Sequence, residues 1–269
     1  MSKFFITFVP DFKIIMEKIS KSQVKLIKSL QIKKYRDESG LFVAEGAKCV
    51  EELRKGFELV HLYREGENAT RTEIEQMSGL KTPQGVIGVF KKADWSALPA
   101  PSEDAKHLTL VLDGIQDPGN LGAIIRTCDW FGVHHLLCSP DTADCYNPKV
   151  VQATMGALAR VRIQYVNLPE LLQSNQVQWD MMPKGEKRPP IYGTLLDGRN
   201  MYEKGAIPNK EEGLIIMGNE GNGISPEVRK YITHPLFIPS YVNEKASDVI
   251  ESLNVSIATA IVLAEFRRA

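Results

Sequence analysis

The 269-residue chain has only four cysteines, and Cys49, Cys128, Cys138 and Cys145 form no CxxC pair and have no histidine cluster beside them. That spacing argues against both a zinc site and a disulfide framework, so reduced thiols in a cytoplasmic protein are the expectation. Long apolar runs are also missing. The stretch from Ile257 to Phe266 is too short to span a bilayer and is broken by Thr259 and Glu265, so no membrane partner is expected. The opening MSKFFITFVPDFKIIMEKI is interrupted by Pro10, Asp11 and Lys13 and lacks a small-residue cleavage site; residues 1–18 read as an extension. There is no low-complexity tract, and the length suggests two domains, each able to bury a core.

Net charge is absent too, with 33 basic against 33 acidic side chains. A nucleic-acid binder usually carries a basic surplus, so the distribution matters more than the sum. From Lys18 to Arg36, the residues Lys18, Lys21, Lys25, Lys28, Lys33, Lys34 and Arg36 occur with no acid between them. This stripe is either a solvated helix face or a surface for phosphates.

Residues 19–95 read as a small α/β unit: a basic helix, an apolar run from Leu41 to Gly46, a helix from Cys49 to Lys55, and a strand in TPQGVIGVF, Thr82 to Phe90. Residues 96–106 have a linker's composition. After them, apolar runs at 108–112, 135–139, 161–166, 191–196, 214–217 and 236–239 alternate with helical patterns at 121–131, 148–158, 226–232 and 253–267. Continuous rather than alternating apolar strands, separated by helices, predict an α/β domain with a parallel sheet covered on both faces. Ligands in such sheets sit beyond the carboxyl ends of the strands, here after Leu112, Leu196, Met217 and Pro239.

Three segments carry candidate chemistry. In LDGIQDPGNLGAIIRTCDWFG, Leu112 to Gly132, Pro118 and Gly119 make a turn and Asn120 is a candidate helix cap. Leu121, Ile124, Ile125, Cys128 and Gly132 form the buried stripe, and Arg126 lies opposite, near the loop end of the helix. The glycines do not have Rossmann GxG spacing, and no GK[ST] follows, which argues against both phosphate-binding loops. In LIIMGNEGNGIS, Leu214 to Ser225, a buried strand enters a glycine-rich loop that lets main chain approach a ligand closely. The third segment ends in SLNVSIATAIVLAEF, a helix apolar on most sides that retains Asn254, Ser256 and Thr259.

Taken in order, DPGNLGAIIRT, LIIMGNEGNGIS and SLNVSIATAI resemble the SpoU (TrmH) family of the SPOUT methyltransferase superfamily. The likeness spans about Leu108 to Phe266 and includes NPKVVQATMGAL, Asn147 to Leu158. KKYRDESGLFVAEGAK and LKTPQGVIGVF resemble that family's ribosomal-protein-like substrate-binding domain. The resemblance implies an extension at 1–18, an RNA substrate-binding domain at 19–95, a linker at 96–106 and a methyltransferase domain at 107–269 with a deep C-terminal trefoil knot. It implies S-adenosylmethionine as cofactor, at Thr194, Gly218, Ile238 and Leu253, and Asn120, Arg126, Glu220, Ser252 and Asn254 as catalytic positions. It also implies methyl transfer to a ribose 2′-hydroxyl of ribosomal or transfer RNA by a homodimer joined through the knotted domain, with no metal. In this reading Asn120 and Glu220 orient Arg126, which stabilises a developing alkoxide, while Ser252 and Asn254 fix the loop and substrate. A non-catalytic RNA-binding protein with the same fold, and a Rossmann-type methyltransferase, are the alternatives. Two stretches depart from the family pattern: 181–190, which reads as an exposed insertion, and 240–251, a longer connection bordering the cofactor positions.

Overall fold

In the computed structural model, residues 18–95, 107–180, 188–241 and 252–268 are described. Residues 1–17 of the extension, the 96–106 linker, 181–187 of the insertion and 242–251 of the long connection lie outside them. The first unit opens with Ser20, whose hydroxyl accepts from the Gln23 amide while the Gln23 side chain returns to the Ser20 amide; this capping box starts α1 (Lys21–Ser29). Helix α2 (Lys33–Ser39) ends at Gly40, whose φ of 66° a larger residue would resist. Then come β1 (Leu41–Glu45), α3 (Ala47–Leu53), β2 (Leu59–Arg64), α4 (Arg71–Met77) and β3 (Val86–Lys91), with the antiparallel strand order β1-β3-β2. The sequence pattern did not reveal β2 or α4, although Thr70 and Glu73 form a second capping box.

The second unit runs β4 (Leu108–Asp113), α5 (Pro118–Trp130), β5 (His135–Cys138), α6 (Pro148–Thr154), β6 (Arg162–Tyr165), α7 (Leu168–Asp180), β7 (Ile191–Asn200), β8 (Gly213–Gly218), α8 (Pro226–Arg229), β9 (His234–Phe237) and α9 (Val255–Arg267). Every pairing in its six-stranded sheet is parallel, in the order β6-β5-β4-β8-β7-β9. The two-residue period explains why its central strands β4 and β8 are apolar on both faces. On β4, Leu110 and Leu112 face the layer of α5 and α9, while Val111 faces that of α7 and α8. Each such fully buried side chain contributes about 2 kcal/mol of transfer free energy.

Several expected boundaries shift. The 148–158 helix stops at Thr154, because Met155 and Gly156 take left-handed conformations before a short 3-10 turn at Ala157–Ala159. The 226–232 helix shrinks to α8, and α7 had not been anticipated. Gly132 is exposed at a φ of 67°, a turn residue after α5 rather than part of its buried stripe.

The two units share one core. Phe42 packs on Phe57, Phe90 and Tyr146, with ring centroids 5.1, 5.5 and 4.8 Å away, so the aromatic cluster crosses the junction. Gly56 lies so near Ala159 that a Cβ would sit 2.4 Å from its carbonyl oxygen. Arg160 bridges Glu52 on α3 and Asp129 on α5. The basic stripe is corrected here: Arg36 is buried and paired with Asp144, and Lys33 pairs with Asp37, so neither is a free phosphate ligand.

Candidate active site

The end of β4 delivers the chain to the start of α5. Asp117, not Asn120, caps that helix: its carboxylate accepts from the Asn120 amide at 2.7 Å, and Pro118 occupies the first helical turn. The Asp-Pro pair is the sequence signal for this cap. Asn120 therefore keeps its side chain for other partners. Its Nδ2 donates to Glu220 Oε1 at 2.7 Å, and its Oδ1 accepts from Asn254 Nδ2 at 2.9 Å. Asn254 in turn caps α9, its Oδ1 accepting from the Ser256 amide at 2.9 Å. These partners determine both amide orientations. One hydrogen-bonded chain, Asn254 to Asn120 to Glu220, thus joins the first turn of α5, the glycine loop after β8 and the start of α9.

Arg126 and Ser252 stand apart from this chain. Arg126 lies in the third turn of α5 rather than near its loop end, exposed, and has no hydrogen bond or ion pair among the described residues. Six residues of helix amount to about 240° of rotation and about 9 Å of rise, so Arg126 and Asn120 occupy different faces. Asn120 bonds both Glu220 and Asn254, and none of the three bonds Arg126. The face Arg126 shares is that of Trp130, four residues on and 84% exposed. Ser252 is exposed and forms no hydrogen bond among the described residues.

The expected cofactor positions lie on three neighbouring strands: Thr194 on β7 just past its pairing with β8, Gly218 ending β8 and Ile238 just past β9. Leu253 precedes the Asn254 cap. Thr194 and Arg199 both register with Leu236, so residues 195–198 leave the ladder and the strand expected to reach Leu196 is broken there. This places Leu196 in solvent, 76% exposed. A Cβ on Gly218 would fall 2.3 Å from the Gly223 carbonyl carbon, so glycine alone lets the loop fold back on the strand. The Thr194 hydroxyl has only long contacts, 3.5 Å to Ile216 O and 3.7 Å to Met217 Sδ, which leaves it able to bond a ligand. A hydroxyl, a glycine at the end of β8 and the exposed aliphatic groups of Leu196 and Leu253 fit an adenosine and methionine moiety.

Residues 107–264 match the family model described as the SpoU rRNA Methylase family, and residues 21–76 match the MRM3-like substrate binding domain. The 23S rRNA (guanosine(2553)-2'-O)-methyltransferase RlmP of Bacillus subtilis is 28% identical over 267 residues, covering 94% of this chain and 98% of its own. A solved TrmH-family protein from Porphyromonas gingivalis is 37% identical, with a TM-score of 0.76 over 93% of this chain and 98% of its own. The AdoMet-bound rRNA methyltransferase of Sinorhizobium meliloti is 26% identical, with a TM-score of 0.72 over 93% of this chain and 96% of its own. Matched by the family model over more than half its length, and by a 37% identical relative almost end to end, the chain belongs to the SpoU rRNA methylase family.

Proposed function

We propose that this protein transfers a methyl group from S-adenosylmethionine to a ribose 2′-hydroxyl of ribosomal RNA. The observation that carries the reading is the Asn254–Asn120–Glu220 chain beside the glycine loop. A 2′-hydroxyl is a weak nucleophile of high pKa; it needs in-line orientation and stabilisation as its proton leaves. S-adenosylmethionine would supply an already activated sulfonium methyl, and Thr194, Gly218, Ile238 and Leu253 are the residues that would hold it. The two asparagines and Glu220 keep the surrounding loops in one arrangement. Arg126 stabilises charge on the ribose oxygen and the neighbouring phosphate. Mapping 2′-O-methylation across ribosomal and transfer RNA with and without the gene tests this. One ribosomal site lost with the gene, and restored by the wild-type chain but not by Arg126→Ala, is expected. Cofactor binding with every site retained would favour a non-catalytic RNA-binding protein, and a transfer RNA site would move the substrate.

The proposal extends to assembly. Trp130, Leu253 and Ile257 expose apolar surface on and beside the packed helices α5 and α9, which fits a homodimer through this face. Arg126 would then lie in the seam, one turn from Trp130. Trp130→Glu should halve the mass seen by analytical ultracentrifugation. A trefoil knot fits the topology, because β9 sits at the sheet edge while α9 packs against α5 and β8 nearer its middle. The expected division into 1–18, 19–95, 96–106 and 107–269 is retained as the domain plan. A cytoplasmic location fits four free, buried cysteines and is checked by cell fractionation.

A further inference from the structure

The glycine loop is tied at both ends to the segment that feeds α5. At its far end, the Ser225 amide donates to Asp113 Oδ2 at 2.7 Å. At its near end the tie is the side chain of Asn219, immediately before Glu220. Its Nδ2 donates to the Gly114 carbonyl at 2.6 Å, while its Oδ1 accepts from the amides of Gly221 at 2.9 Å and Asn222 at 3.0 Å. The Asn219 main chain exchanges two hydrogen bonds with Gly223, each 2.9 Å, which closes the loop. Gly114, at a φ of 75°, lets the segments meet: a Cβ there would stand 3.6 Å from Asn219 Cβ and 3.1 Å from Asp141 Oδ2. No other arrangement of the amide satisfies both a carbonyl and two N–H groups.

We infer that Asn219 is a positioning residue for methyl transfer: its side chain braces the loop bearing Glu220 against the turn leading to Asn120, and so sets the register in which those two side chains bond. The inference rests on the proposed methyltransferase function. Asn219 touches neither Asn120 nor Glu220 through its side chain; it acts through the backbone on either side of them. Loop closure and bracing are separable, because one end of the amide accepts within the loop and the other donates across to Gly114.

Asn219→Asp separates them. The carboxylate still accepts from Gly221 and Asn222 but sets an oxygen against the Gly114 carbonyl, so the brace is lost and loop closure is kept. In the full chain, kcat should fall about tenfold or more while KM for RNA stays within about twofold. Protonation of the new carboxyl restores a donor, so the variant's deficit relative to wild type should shrink as pH falls. A merely structural role would lower the melting temperature without that pH-dependent recovery. Hydrogen exchange of residues 114–117 and 220–222 reads the brace independently of turnover, and Asn219→Asp should exchange faster in both segments. Wild-type kcat together with wild-type exchange would overturn the inference. If the wild-type chain transfers no methyl group, the function fails, while exchange still decides whether the brace exists.

Discussion

Arg36 donates through Nη2 and Nε to one carboxylate oxygen of Asp144, at 2.7 and 3.1 Å, joining residues 108 positions apart across the junction of the two units. Its Nη1 donates to the Leu30 carbonyl at 2.8 Å, so all three guanidinium nitrogens are bonded while only 2% of the side chain is exposed. Removing one partner of such a pair leaves the other charge buried without compensation.

Arg36→Ala should therefore cost about 3 kcal/mol of unfolding free energy in urea, and replacing both Arg36 and Asp144 with apolar residues should recover much of it. A single variant within about 0.5 kcal/mol of wild type would show that the pair contributes little to the junction.

Asn120→Ala removes the middle of the chain between Asn254 and Glu220. We expect kcat to fall about a hundredfold with little change in S-adenosylmethionine affinity, measured by single-turnover kinetics and calorimetry. Glu220→Gln, which keeps an acceptor oxygen, should be milder; equal losses would point to the charge of Glu220 rather than its hydrogen bond.

Arg126 is exposed and unpaired among the described residues, so Arg126→Ala should leave stability within about 0.5 kcal/mol of wild type. Its kcat should nonetheless fall by about a hundredfold or more. Arg126→Lys should rescue little, because an ammonium lacks the planar fork that spans two oxygens. Full activity in the lysine variant would reduce the requirement to a point charge.

All four cysteines are free and buried, and burial pushes the Cys49 thiol up to about 11 and the other three well above their usual range. Thiolate is the reactive form, so the native protein at neutral pH should resist iodoacetamide and take up four equivalents only in denaturant, by mass spectrometry. Rapid native labelling of Cys49 would show that the junction opens.

The parallel sheet was legible because its strands are apolar on both faces, and the three loop segments because glycine and asparagine punctuate them. The Arg36 pairing was not: an arginine in a basic run looks solvated until Asp144 is brought beside it. Nor was the break in β7, which depends on β9 registering Leu236 twice. Asn120 resembled a cap because it precedes the apolar stripe; Asp117 does that work three residues earlier. The distance of Arg126 from the asparagine chain follows from helix rise and rotation once the bounds of α5 are known.

The Asn254–Asn120–Glu220 chain also orders events in time. Its three members lie on segments separated by 100 and 134 positions, and the last belongs to α9, which follows every strand of the sheet. During synthesis all six strands therefore precede the last member of the chain, and the hydrogen-bonded arrangement closes only when α9 docks. A chain ending after β9 would lack both Asn254 and the core side chains Val262, Leu263 and Phe266, so the polar chain and the apolar core are completed by the same helix.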